Sequence, residues 1–417
     1  MITIQRDRYL KRLISRRHNG RIKIITGVRR CGKSYLLFEI FSNWLKEQGT
    51  SDEHIIKIDL EDRRNKALRD PDALLSHIDS LIKDKEMYYV MIDEIQHVDE
   101  FEDVLNSYLK IPNVEVFVTG SNAKFLSKDV VTTFRGRGDV VHITPLLFSE
   151  YYSVMSISEE KAFDEYLLYG GLPQTVFMES EEEKITFLKD IYTETYLRDI
   201  KERYSIVHEA ELEMLLDILS SSVGSLTNPQ KLENVFRTEM KSTLTAVTIK
   251  KYLEYICDSF LMAKADRFDV RGKKKIGTPY KFYFSDPGLR NARLNFRQKD
   301  LGHVMENIVY NELCTRGYNV DVGVVPVVIR EEGKQVRRQY EVDFVCNLGS
   351  KRYYIQAAWR MDSEAKIAQE EKSLRTIDDS FKKILVVGYN TPIIRDESGI
   401  TTMSIYDFLL KEDSMDL

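Results

Sequence analysis

Apolar and polar positions follow two different periods along the first third of the chain. Residues 21–26 (RIKIIT), 54–62 (HIIKIDLED), 87–94 (MYYVMIDE) and 114–122 (VEVFVTGSN) contain continuous apolar runs. Such runs, without alternation, predict strands buried on both faces. Between them, residues 35–48, 71–84 and 101–110 carry apolar side chains at helical spacing. Strands that alternate with helices predict a parallel sheet in an α/β domain.

After about residue 150 the pattern changes. Residues 150–220 read as helices interrupted by Tyr169-Gly170-Gly171-Leu172-Pro173. From about 205 to 295, helical patterns at 211–223, 229–236 and 247–262 precede a two-strand pattern at 263–270 and 280–286. Three helices followed by a hairpin is the winged-helix order. Beyond 297 a helix at 302–317 leads into strands at 319–325, 339–347, 352–359 and 382–390. The expected organisation is therefore an α/β domain at 1–150, a helical segment at 151–204, a winged helix at 205–296 and a mixed α/β domain at 297–417.

Composition narrows the class. Of 417 residues, 43% are hydrophobic and 30% charged, which suits folded domains and excludes a wholly disordered chain. No apolar run reaches membrane-spanning length, and the basic start has no signal-like apolar stretch. The four cysteines, Cys31, Cys257, Cys314 and Cys346, are too dispersed for zinc or a disulfide framework. A cytoplasmic protein that does not use a membrane is expected. The net charge of −5 means that any contact with DNA uses local basic patches.

The strongest chemical signal is Gly27-Val28-Arg29-Arg30-Cys31-Gly32-Lys33-Ser34, a full GxxxxGK[ST] between a predicted strand and a predicted helix. Gly27 and Gly32 let the backbone wrap phosphate, and Lys33 reaches the β- and γ-phosphates. Ser34 binds Mg²⁺, and Tyr35 follows beside the nucleotide. About 60 residues on, Asp93 and Glu94 close an apolar strand. Asp93 is expected to hold Mg²⁺ and Glu94 to act as general base on water. Asn122 or Ser121, after the next strand, suits a γ-phosphate sensor. Arg135 and Arg137 suit an arginine finger, which in trans requires an oligomeric ring. ATP and Mg²⁺ are the expected substrate and cofactor.

The stretches GVRRCGKS, YYVMIDEIQHVDEFEDVLNSYL, VFVTGSN, FRGR, YGGLP, KFYFSDPGLRNA and GHVMENIVYNEL resemble uncharacterised prokaryotic AAA+-type ATPases with a C-terminal domain of unknown function. The resemblance spans about residues 20–360. It implies an ASCE-type P-loop core, a helical lid, a winged helix and a C-terminal region similar to PD-(D/E)xK nucleases.

On that resemblance Glu306 supplies the nuclease helix acid and Asp343 the strand acid, while Gln356 takes the second acid position. These three are the expected metal ligands. Ala358 stands at the lysine position and removes a charged donor, which favours a degenerate nuclease fold. In the winged helix, Lys250 and Lys251 on the third helix and Arg271, Lys273, Lys274 and Lys275 on the wing suit DNA phosphate contacts. The leading expectation is a Mg-ATP-hydrolysing homo-oligomeric ring, expected to be a hexamer, that remodels or moves along duplex or branched DNA. The alternatives are an ATP-gated metal-dependent DNA nuclease and an ATP-driven protein-binding switch without DNA.

Overall fold

The four apolar runs of the N-terminal third become β1 (Ile22–Gly27), β2 (Ile55–Asp59), β3 (Tyr88–Asp93) and β4 (Val114–Gly120) in the computed structural model. The structure describes residues 4–120, 136–298, 300–331 and 334–417. A fifth strand, β5 (Gly138–Ile143), joins them, and the sheet order is β2-β3-β4-β1-β5 with every pairing parallel. The sequence pattern gives no strand at β5. Its first three residues are only half-buried, so it lacks the continuous apolar run of a central strand. Ile24, Val90, Ile92 and Val118 are buried at the centre of the sheet and anchor its core.

This sheet belongs to a first unit made of residues 1–146, 172–174 and 258–260. Its strands run parallel, so Gly27, Asp59, Asp93 and Gly120 all lie at one end of the sheet. Ligands of open α/β sheets bind at that end. The basic N-terminal stretch is committed to packing here. Helix Asp7–Ser15 buries Tyr9 and Leu13. Arg16 donates to the Val140 carbonyl at 2.6 Å and pairs with Asp139 at 3.2 Å. Arg17 stacks on Trp44.

The second unit comprises residues 147–171, 175–257 and 261–417. Its sheet is built from β6 (Met262–Asp269), β7 (Lys274–Phe284), β8 (Asn319–Glu331), β9 (Lys334–Leu348), β10 (Lys351–Ala358), β11 (Lys382–Val387), β12 (Ile394–Arg395) and β13 (Ile400–Ser404). The order is β12-β13-β11-β10-β9-β8-β6-β7. The β6–β7 hairpin joins the C-terminal strands because Arg267–Asp269 pairs in parallel with Val322–Val324. One sheet therefore runs through the position, between 296 and 297, where the sequence pattern suggests a boundary.

Two local expectations need correction. The helix expected over 247–262 ends at Asp258, and β6 already begins at Met262. The wing loop expected over 271–279 is shorter, because β7 starts at Lys274. Among the described residues no helix is long and apolar enough to cross a membrane.

Two motifs 115 residues apart interlock in this unit through Asp286, which is fully buried. Its carboxylate accepts the Gly171 N–H at 2.6 Å and the Leu289 N–H at 3.2 Å. A Cβ at Gly170 would collide with that carboxylate, and Gly170 has φ +74°, so glycine is required on both counts. Asn291 adds bonds to the Leu167 and Leu168 carbonyls, both at 2.9 Å.

Burial pushes the Asp286 carboxyl up to about 6 against these N–H bonds. A carboxyl raised on folding favours the protonated native state, so its contribution to stability falls as pH rises from about 4 to about 6. Urea unfolding at pH 4.5 and pH 7 should show wild type losing stability relative to Asp286→Asn across that window. An unchanged difference would contradict the buried, raised carboxyl.

Candidate functional site

Gly27 closes β1 with φ +149°, and a Cβ there would collide with the Ile143 carbonyl. Gly32 turns the loop into the next helix with φ +93°. These two positions need glycine for close approach and a positive φ. Helix Lys33–Tyr35 follows and runs on through a π-helical stretch, Leu36–Phe41, into helix Ser42–Glu47. Buried Arg6 steadies the loop, donating to the Cys31 carbonyl at 3.3 Å and the Thr144 carbonyl at 2.7 Å.

Lys33 is buried, with Nζ 3.2 Å from the Gly27 carbonyl, 3.1 Å from the Val28 carbonyl and 4.0 Å from Glu94 Oε1. Ser34 Oγ donates to Asp93 Oδ2 at 2.8 Å. Thr119 Oγ1 donates to the other Asp93 oxygen and accepts the Glu94 N–H at 3.0 Å. Gln96 donates to Glu94, whose backbone is left-handed at φ +51°. Burial pushes the Asp93 carboxyl up to about 6, opposed by the bonds from Thr119 and Ser34.

The structure thus brings Gly27, Gly32, Lys33, Ser34, Asp93 and Glu94 together. This set of donors fits Mg²⁺ and a nucleotide triphosphate: a buried ammonium for phosphate, and a hydroxyl and a carboxylate in contact for the metal. When bound, Mg²⁺ supplies positive charge to the phosphate oxygens. Lys33 carries an ammonium suited to phosphate oxygens, resting on two loop carbonyls, and Glu94 has a carboxylate suited to accepting a proton from water. Tyr35 is exposed in a groove of about 640 Å³ shared with Leu10, Ile40 and Trp44.

Asn122, Ser121 and Arg135 lie outside the described residues. Arg137 is exposed at the start of β5, six residues from the end of the strand nearest the loop. At about 3.3 Å per residue it stands roughly 20 Å from its own phosphate loop.

In the second unit Glu306 lies on helix Leu301–Thr315, Asp343 on β9 and Gln356 on β10. They line a polar pocket of about 700 Å³ together with Glu370 and Arg360. The three expected metal ligands therefore share one pocket, and each already has a protein partner. Gln356 Oε1 accepts the Asp343 N–H at 3.3 Å and its Nε2 donates to Glu370 at 3.2 Å, so its amide is committed. Lys281, on β7, places Nζ 3.0 Å from Glu306, 2.7 Å from Glu341 and 4.0 Å from Asp343. Among the described residues no three His, Cys, Asp or Glu side chains are grouped to hold a metal.

The six expected DNA-contacting cations are exposed. Lys250 and Lys251 lie on helix Ala246–Asp258; Arg271 and Lys273 lie in the hairpin turn, and Lys274 opens β7. Lys275 is already 3.4 Å from Asp266 and 3.6 Å from Asp321.

A family model described as an AAA domain matches residues 19–152, and one described as a domain of unknown function, DUF8612, matches residues 160–300. An uncharacterised protein of Haemophilus influenzae is 32% identical over 416 residues, covering 98% of this chain and 99% of the relative. The chain belongs to this family. A second uncharacterised member, from Methanocaldococcus jannaschii, is 30% identical and covers 89% of this chain and 82% of the relative. Among solved structures, a DNA replication initiation factor matches at 14% identity and TM-score 0.31, covering 59% of this chain and 85% of that one. The Aeropyrum pernix Orc1 protein matches at 11% identity and TM-score 0.28, covering 70% and 93%. These structural likenesses are remote.

Within the AAA domain, sequence reasoning misses Thr119 and Arg6. Thr119 sits one residue before the Gly120 that ends β4, two and three positions ahead of the Ser121 and Asn122 expected as sensors. The only signal for it is a polar residue closing an apolar strand beside the phosphate-loop strand. Arg6 carries no local signal, because it reads as one more cation in a basic stretch.

Thr119→Val keeps the shape but strips the donor from Asp93 and the acceptor from the buried Glu94 N–H. It should cost about 1–3 kcal/mol in urea unfolding, with Thr119→Ser costing less. Equal losses in both variants would mean that the hydroxyl is not what matters.

Proposed function

We propose that the chain hydrolyses Mg-ATP at the Lys33–Ser34–Asp93–Glu94 site and uses the cycle to remodel or move along DNA as a homo-oligomeric ring. The observation that carries the ATPase reading is the contact of Ser34 with Asp93 beside Lys33 and Glu94 at one end of a parallel sheet. The AAA-domain match over the same residues supports it. Each residue has a distinct task. Lys33 neutralises phosphate, Ser34 and Asp93 hold the metal, and Glu94 takes a proton from the attacking water. Thr119 fixes Asp93 and Glu94 relative to one another.

A finger from a neighbouring chain is the role open to Arg137, given its distance from its own site. DNA is the proposed substrate because Lys250, Lys251, Arg271, Lys273 and Lys274 are exposed cations at a helix and a hairpin turn. That arrangement suits backbone contacts without base readout. The ring, its hexameric state and the winged-helix reading are parts of the same proposal, as is a cytoplasmic location.

ATPase rates with duplex, single-stranded and branched DNA, with light scattering on the same samples, test it. Lys33→Ala should abolish hydrolysis, and Glu94→Gln should bind ATP while losing roughly 10²–10⁴ in rate. A wild-type rate from Lys33→Ala would overturn the site. Lys273→Ala/Lys274→Ala should flatten the log–log salt dependence of DNA binding by about 0.9 for each phosphate the variant no longer neutralises. An ATPase indifferent to every DNA, with no DNA binding even at low salt, would replace DNA with a protein partner.

A further inference from the structure

Four charged side chains from three elements meet in the second unit. Glu306 comes from helix Leu301–Thr315, Glu341 and Asp343 from β9, and Lys281 from β7. Lys281 is 3% exposed, Asp343 7% and Glu306 8%, so these three are buried, while Glu341 lies half-exposed at the edge. Among the described residues Lys281 is the sole cation paired with each of the three carboxylates. Tyr283 adds a neutral donor, its hydroxyl 2.7 Å from Glu306 Oε1. The Ala357 N–H adds another, 2.9 Å from Asp343 Oδ2.

Carboxylates brought together out of water repel one another and require a cation. A divalent ion is one solution to that problem, and an ammonium is another. Lys281 already bridges Glu306 and Glu341 and faces Asp343, the two expected acid ligands among them. A divalent ion on Glu306 and Asp343 would stand within a few ångströms of this buried ammonium, where like charges repel strongly. On β10 the two positions that would add charge are Gln356 and Ala358, both uncharged.

We infer that Lys281 is the resident cation of this carboxylate cluster: it takes the place of a divalent metal, and the cluster admits a divalent ion only when the ammonium is removed. This inference stands apart from the ATPase reading, because the two sites belong to different units. It makes the nuclease-like region of the wild-type chain a metal-free cluster, and it makes a single substitution sufficient to create a metal site.

The probe is Mn²⁺, titrated calorimetrically without nucleotide into the full chain, with Tb³⁺ luminescence sensitised by Tyr283 as a second readout. The variants are Glu306→Gln, Lys281→Gln, Lys281→Arg and the double variant Lys281→Gln/Glu306→Gln. Wild type and Glu306→Gln should bind Mn²⁺ alike, since any binding they share lies elsewhere. Lys281→Gln should gain one site, at least roughly tenfold tighter than any binding wild type shows at the cluster, and the double variant should lose it. Lys281→Arg, which keeps the charge, should gain nothing.

If Lys281→Gln is unfolded in chelator, millimolar Mn²⁺ should refold it by circular dichroism. A wild-type Mn²⁺ site that Glu306→Gln abolishes would overturn the inference. So would a folded Lys281→Gln that gains no site, or an unfolded one that Mn²⁺ fails to restore.

Discussion

A carboxylate carried out of water has to be given donors, and that constraint organises both units. In the AAA domain the carboxylate is Asp93, buried at the end of β3. The strand order sets β4 between β3 and β1, so Thr119, one residue from the end of β4, stands beside Asp93 while the loop after β1 delivers Ser34. Both hydroxyls then reach the same carboxylate. The parallel sheet, the glycine turn and the helix that starts at Lys33 are what bring those donors to one end. A one-residue slip of β4 would turn Thr119 to the other face of the sheet.

The second unit meets the same demand in two other ways. Asp286 is satisfied by backbone N–H groups of Gly171 and Leu289, which ties two distant segments together and forces glycine at 170. Glu306, Glu341 and Asp343 are satisfied by the Lys281 ammonium. Backbone amides fix geometry without cancelling charge, so the Asp286 carboxyl is left with a raised pKa. The ammonium cancels charge, and it does so from a hairpin strand that lies three places from β9 in the sheet order.

What the sequence reveals follows from how local each demand is. β1 to β4 are legible because a central parallel strand is apolar on both faces, and the phosphate loop is legible because its glycines and Lys33-Ser34 are contiguous. β5 is not, since an edge strand needs only partial burial. The eight-stranded sheet is legible only strand by strand. The pairing of Arg267–Asp269 with Val322–Val324 links segments more than fifty residues apart, and no local pattern encodes it. Glu306, Asp343 and Gln356 can be picked out by motif and do line one pocket. Lys281 cannot, because it lies outside the motif and reads as a polar position in a half-buried strand. Thr119 and Arg6 escape for a related reason: their partners are carboxylate, amide and carbonyl groups brought close only by the fold.

The choice of donor separates what the two acidic sites can do. Ser34 and Thr119 are neutral, so they hold Asp93 in place and leave its negative charge available to a cation. They are also exchangeable, since a hydroxyl that donates to a carboxylate can turn its oxygen toward a metal. Glu94 keeps a second carboxylate alongside, with Lys33 as far as 4.0 Å from it and held mainly by loop carbonyls. The AAA-domain site is thus preorganised around an Asp93 held by neutral donors, with Glu94 paired to Lys33 and bonded by Gln96. At Lys281 the compensating charge is covalently part of the chain and buried. The same count of acids that would serve catalysis is there spent on holding β7, β9 and the Leu301–Thr315 helix together.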